Sequence, residues 1–156
     1  MLVKETIAVV GLGNKIPDFL KEVLEKDFYV LFVAEAEENR QILQTQLNNQ
    51  TVSAEYELMD CAKNGCWEAD TIFLFNLEKL NEALIAEMRK VSVQKLMIFV
   101  VNDFASLEKS PLALFPLSKQ VLLNAETLEI KLKLEDMELL PHLKKIFRET
   151  LQITNF

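Results

Sequence analysis

The feature that most constrains this chain is a repeated change of hydrophobic period. Five short apolar runs, Thr6–Val10, Tyr29–Ala34, Tyr56–Met59, Thr71–Phe75 and Lys95–Val101, have the length of strands. Between them lie longer stretches whose apolar residues recur at helical spacing. Pro17–Lys26 places Phe19, Leu20, Val23 and Leu24 on one side, and Pro17 suits the first turn of a helix. Glu37–Leu47 turns Ile42 and Leu43 inward and is broken by Asn48-Asn49-Gln50, while Leu77–Lys90 is carried by Leu80, Leu84, Ile85 and Met88. Asp60–Glu68, with both cysteines, Gly65 and the one tryptophan, reads as a short connection of poor periodicity. Runs that are apolar on both faces and joined by crossovers predict an α/β fold with a mostly parallel sheet and right-handed connections.

Beyond Asn102 the pattern loosens. Phe104–Ser118 mixes loop and helical signals around Pro111 and Pro116. Gln120–Leu123 and Leu128–Leu134 read as strands, and Met137–Leu151 as a closing helix. The alternation in Ile130-Lys131-Leu132-Lys133-Leu134 predicts an antiparallel edge strand with one wet face. The 156 residues, 50% hydrophobic and 26% charged, suit one domain over 1–156 with a real core. No apolar run approaches the roughly 20 residues that span a bilayer. A net charge of -7 argues against nucleic acid and anionic membranes as partners. Two cysteines and no basic-then-apolar leader over Met1–Val10 point to a reduced, cytoplasmic protein.

The first strand runs into Gly11-Leu12-Gly13-Asn14-Lys15-Ile16 and then a helix. A strand ending in Gly-x-Gly and opening a helix is the phosphate-binding element of dinucleotide-binding folds, where glycines permit a tight turn and close approach of a pyrophosphate. Ile16 stands where a small residue normally lets helix and strand pack closely, and Pro17 removes one N–H from the helix start. Both predict a cofactor site that is weakened or lost, and a tight turn with no ligand is the alternative. Glu35, at the end of the second strand and about 20 positions on, is placed to hold the ribose hydroxyls of a dinucleotide. An acid there leans toward NAD over NADP, since no basic residue follows before Arg40. Glu35, Glu37 and Glu38 equally suit a solvated helix start. The fold class is therefore Rossmann-like: a doubly wound, mostly parallel sheet with helices on both faces.

Three further stretches resemble a known family. Trp67-Glu68-Ala69-Asp70-Thr71-Ile72-Phe73-Leu74 is similar to the acidic loop, Ala-Asp and apolar strand that form its fourth strand. Leu114-Phe115-Pro116-Leu117-Ser118-Lys119-Gln120-Val121-Leu122-Leu123-Asn124 resembles its Leu-Pro, basic, Val-Val approach to a sixth strand, and Leu128–Leu151 its last strand and helix. The family is that of the deazaflavin-dependent NADP oxidoreductases, within the group resembling 6-phosphogluconate dehydrogenase. The chain departs from it at Ile16, at Asn76-Leu77 where the family has Val-Pro, and at Asn102-Asp103 where it has Asn-Pro. The resemblance implies an oxidoreductase with NAD or NADP lying across the first and fourth strands. Gly11, Leu12, Gly13, Asn14 and Lys15 would line the pyrophosphate, Glu35 the ribose, and Phe75, Asn76 and Asn102 the nicotinamide. Hydride transfer in this family is largely the cofactors' own chemistry, so no catalytic residue is assigned. The chain lacks the helical substrate domain of larger dehydrogenases, so a pocket would form at a homodimer interface or at the bare sheet edge. Leu112, Leu114, Phe115 and Leu117 would supply the dimer contact or belong to the core. Two other functions compete: a non-enzymatic interaction protein that kept the scaffold, and a ligand-sensing nucleotide domain.

Other chemistry is weakly signalled. Cys61 and Cys66 make neither a Cys-x-x-Cys pair nor a zinc site, and a redox pair with Lys63 lowering a thiol pKa competes with two incidental thiols. His142 has no nucleophile or acid at a recognisable spacing and reads as a surface or core residue. Trp67 reads as a buried anchor, with ring stacking as the alternative. Asp60, Asp70 and Asp103 fall near strand ends, where capping accounts for them.

Overall fold

A computed structural model describes residues 4–104, 111–147 and 152–155. Eight strands form one sheet: β1 (Thr6–Val10), β2 (Tyr29–Val33), β3 (Glu55–Met59), β4 (Thr71–Leu74), β5 (Leu96–Val101), β6 (Lys119–Asn124), β7 (Glu129–Leu132) and β8 (Gln152–Asn155). Their spatial order is β3-β2-β1-β4-β5-β6-β7-β8. All neighbours are parallel except β6 and β7. The chain winds outward from β1 to β3, then crosses back and winds the other way from β4. The order therefore reverses between β1 and β4, which is where ligands sit in open α/β sheets.

Alternation along each strand divides the core. Ile7, Val9 and Phe73 face one layer, with α1 (Asp18–Leu24), α2 (Glu37–Asn48) and α5 (Leu140–Ile146). Ala8, Val10, Ile72 and Leu74 face the other, with α3 (Ala62–Glu68) and α4 (Glu82–Val91). Both faces are covered, which is why the inner strands are apolar throughout. The first layer centres on four rings, with Phe19 6.1 Å from Phe73 and 6.2 Å from Phe147, and stacked on Phe75 at 6.1 Å.

Four elements differ from the sequence reading. The Asp60–Glu68 connection holds a two-turn helix, α3, whose inward positions Ala62, Gly65 and Cys66 are too small to give an amphipathic signal. Gly65 is required by contact, since a Cβ there would lie 2.8 Å from a Val33 methyl. The Leu77–Lys90 helix is divided into a 3-10 turn at Leu77–Lys79 and α4, because the Asn81 carboxamide caps α4 by accepting from the Leu84 N–H at 2.7 Å. We expect Asn81→Ala to lower stability by about 1 kcal/mol in urea unfolding. The closing helix is a 3-10 segment, Leu134–Leu139, followed by α5, which ends at Ile146. Lys26 caps this end, its ammonium donating to the carbonyls of Lys145, Ile146 and Phe147 at 3.2, 2.8 and 2.9 Å. Residues 148–151, the rest of that expected helix, lie outside the described residues. The antiparallel strand β7 is present as expected but stands one place in from the edge, because β8 pairs beyond it.

Among the described residues no helix is long and apolar enough to cross a membrane. Trp67 is not a buried anchor. It is 71% exposed at the end of α3, with the Lys95 ammonium 5.9 Å over its ring. Of the segment expected at a dimer contact or in the core, Phe115 is fully buried and Leu117 is 64% exposed. Leu114 packs partly against the core, and the Leu112 side chain lies outside the described ones.

Candidate functional site

The site is built on the carboxyl edge of β1, β2 and β4. The β1–β4 ladder continues one residue past β4, with the Phe75 N–H donating to the Val10 carbonyl at 2.8 Å. Gly11 follows at φ +80, and a Cβ on it would stand 2.3 Å from the Phe75 carbonyl oxygen. Only glycine allows that approach. Gly13 also has positive φ, +78, but faces open space, with nothing within 4 Å of where a Cβ would be. One glycine is thus demanded by the protein's own backbone. The other leaves a bare surface in front of the turn, which is what a closely approaching ligand needs.

Asn76 and Gln46 hold this turn. Asn76 takes a left-handed conformation, φ 48 and ψ 51, and its Nδ2 donates to the Gly11 carbonyl at 2.8 Å. Gln46 reaches across from α2: its Oε1 accepts from the Ile16 N–H at 3.0 Å and its Nε2 donates to the Asn14 carbonyl. Gln46 stands nine residues into α2, about 13 Å along a helix that begins at the carboxyl edge. The loop therefore descends along the side of α2, and α1 starts only at Asp18, with Pro17 still extended at ψ 157. The helix expected over Pro17–Lys26 is present as α1, with Pro17 as its N-cap, but it stands four residues beyond Gly13, and the Ile16 N–H that faces its start is already taken by Gln46. The Ile16 side chain, 1% exposed, is anchored in the core instead of making room for a ligand.

The predicted residues are brought together unevenly. Gly13, Asn14 and Lys15 are exposed on the loop, and Leu12 is buried beneath it. Glu35 is exposed just past β2. The Phe75 ring does not flank a nicotinamide position, because it is stacked on Phe19 in the core. Only its backbone reaches the rim. Asn76 lends its Nδ2 to Gly11, while Asn102 is exposed one residue past β5. Sequence reasoning missed Gln46 and underrated Arg40, whose Nη1 donates to the carbonyls of Ala34 and Glu35 at 2.7 and 2.8 Å. A guanidinium thus lies at the end of β2 beside the acid. The i, i+5 spacing of Glu35 and Arg40 was visible in sequence, but the fold back onto β2 was not. Two surface clefts lie away from Gly11 and Gly13. One of about 510 Å3 includes Ile85, Arg89 and Leu114, and one of about 450 Å3 includes Phe19, Glu22 and Leu128.

The other candidates are structural. Burial pushes the Cys66 thiol up to about 12 although Lys95 opposes it, so Cys66 carries no thiolate at neutral pH. Lys63 pairs with Glu87 at 3.5 Å. Cys66 and Cys61 are both unpaired thiols. His142 contacts Glu5, and Asp70 accepts from the Thr6 N–H at 2.9 Å. Among the described residues no group of three or more His, Cys, Asp or Glu could hold a metal.

No family model matches the sequence, and no curated protein does. Among solved structures the chain is similar to a diketoreductase described for substrate-directed dual catalysis of dicarbonyl compounds, with a TM-score of 0.64 and 10% identity. The likeness is one of fold. It covers 100% of this chain and 65% of that one. A second similar structure is 5-formyl-3-hydroxy-2-methylpyridine 4-carboxylic acid 5-dehydrogenase, an NAD+-dependent dismutase, at a TM-score of 0.60 and 14% identity over 98% of this chain and 57% of that one. The chain spans less than two thirds of the length of either protein.

Proposed function

We propose that this chain is a dinucleotide-binding Rossmann-type module of an NAD- or NADP-linked oxidoreductase, related to the deazaflavin-dependent NADP oxidoreductases. One observation carries the reading: at the β1–β4 reversal, Gly13 holds a positive φ with open space in front of it while Gly11 is locked against the Phe75 carbonyl. A turn that needs glycine for backbone reasons yet buries nothing in front of it suits a pyrophosphate. The likeness in fold to an NAD+-dependent enzyme supports the same cofactor class. In this reading Leu12, Gly13, Asn14 and Lys15 bound the pyrophosphate, Glu35 binds the ribose and Asn102 borders the nicotinamide. The nicotinamide supplies the hydride, and the chain binds and orients it. Arg40, held beside Glu35, favours a 2′-phosphate and so opposes the lean toward NAD. The reading includes a homodimer, with exposed Leu117 in the contact.

Titration calorimetry with NAD, NADH, NADP and NADPH tests this. The expected result is micromolar binding of one of them, weakened at least about 100-fold by Gly13→Asp, whose carboxylate would enter the open space and repel phosphate. A companion Glu35→Ala variant reports the ribose contact. No heat with any of the four dinucleotides would overturn the reading. It would favour the second one, an interaction or ligand-sensing protein on a retained scaffold, for which the late start of α1 and the occupied Ile16 N–H are the observations.

A further inference from the structure

We infer that Gln46 is a positioning residue of the dinucleotide site, acting through Lys15, an inference that rests on the dinucleotide reading above. The segment from Gly11 to Asp18 contains one cation, Lys15, in a chain whose net charge is -7. The helix start that follows adds little to an anion site: Pro17 has no N–H, the Ile16 N–H is spent on Gln46, and Asp18 places an acid in the first turn of α1. Within this segment Lys15 is therefore the one side chain that would offer positive charge to a pyrophosphate at Gly13. Lys15 is exposed, and a lysine on an unrestrained loop loses much of its attraction to the entropy of ordering it.

Gln46 supplies the restraint. Its carboxamide bridges the residues on either side of Lys15, donating to the Asn14 carbonyl and accepting from the Ile16 N–H at 3.0 Å, in the two-bond manner of one strand beside another. The backbone that carries Lys15 is thereby fixed to a helix on the far side of β2. The Ile16 side chain anchors the same segment from below, and Asn76 holds the turn from the β4 side at Gly11. Few other side chains could replace Gln46. Glutamate retains the acceptor and loses the donor, methionine keeps the shape and loses both, and asparagine is one methylene short.

A double-mutant cycle distinguishes positioning from general stabilisation. Binding of the tightest of the four nicotinamide dinucleotides is measured for the wild type, Gln46→Met, Lys15→Met and the double variant, well below each melting temperature. Each single change is expected to weaken binding about tenfold, and the double variant should bind no more than about threefold more weakly than Lys15→Met alone. The melting temperature of Gln46→Met checks that the fold is intact. Independent, multiplying effects of the two changes, or an unaltered affinity for Gln46→Met, would overturn the role of Gln46 while leaving dinucleotide binding established. A wild type that binds none of the four overturns both.

Discussion

Gly11→Ala is expected to lower the unfolding free energy by roughly 3–5 kcal/mol, near the top of what a single added methyl does. Two costs add. At φ +80 an L-residue is strained by about 1–2 kcal/mol. The new Cβ would also lie 2.3 Å from the Phe75 carbonyl oxygen, so the backbone of one partner must move. Phe75 resists that, because its N–H closes the ladder to Val10 and its ring is stacked on Phe19. Asn76 resists it on the other side through its bond to the Gly11 carbonyl. Urea unfolding checks this, with Gly13→Ala as the control, since that position has the same strain and nothing to meet and should lose only about 1 kcal/mol. Equal losses at the two glycines would show that the β1–β4 contact yields and that the close approach is not what demands Gly11.

The second large effect is predicted at the opposite end of the sheet. Glu5, with a side chain 13% exposed, lies just before β1. It contacts His142 of α5, accepts from the Thr71 hydroxyl at 3.1 Å and has the Lys145 ammonium 3.9 Å away. Burial pushes its carboxyl pKa upward, but the bonds from His142 and Thr71 and the charges of His142 and Lys145 outweigh burial and hold it below the usual 4.5. Because the folded-state value is depressed, the carboxylate's contribution is fully present above about pH 4.5 and is lost as the pH falls through the folded value. Glu5→Ala should therefore cost about 2–3 kcal/mol near neutral pH, where it leaves His142 and Thr71 without their acceptor. The difference from wild type should shrink in acid. Unfolding curves at pH 7 and at pH values below 4.5 measure both, and a gap that stays constant into acid would refute the role of the ionised carboxylate.

How far the sequence reached depends on the distance over which each feature is decided. Strands β1, β2, β4 and β5 were legible because burial on both faces makes a continuous apolar run, which is a local property of the chain. Helix α3 was illegible for the same kind of reason: packing close against β1 and β2 requires small inward residues such as Gly65, and small residues carry no hydrophobic period. The end of α5 was illegible because the cation that caps its last carbonyls, Lys26, lies more than a hundred positions away. Trp67 was misread as buried, since size and hydrophobicity do not reveal on which side of a two-turn helix a residue falls.

At the candidate site the sequence by itself determined the two glycines, the acid after β2 and the two departures at Ile16 and Pro17, because turn geometry and a missing N–H follow from residue type alone. Tertiary structure alone decided what those residues meet. It set Gly11 against Phe75, left Gly13 open, drew the Phe75 ring into the core and brought Arg40 back to β2. It also placed the Gln46 amide across Asn14 and Ile16, 32 and 30 positions away in the chain. A hydrogen bond over such a separation exists only once two crossovers have packed side by side on the same face of the sheet, and no local pattern in either segment records it.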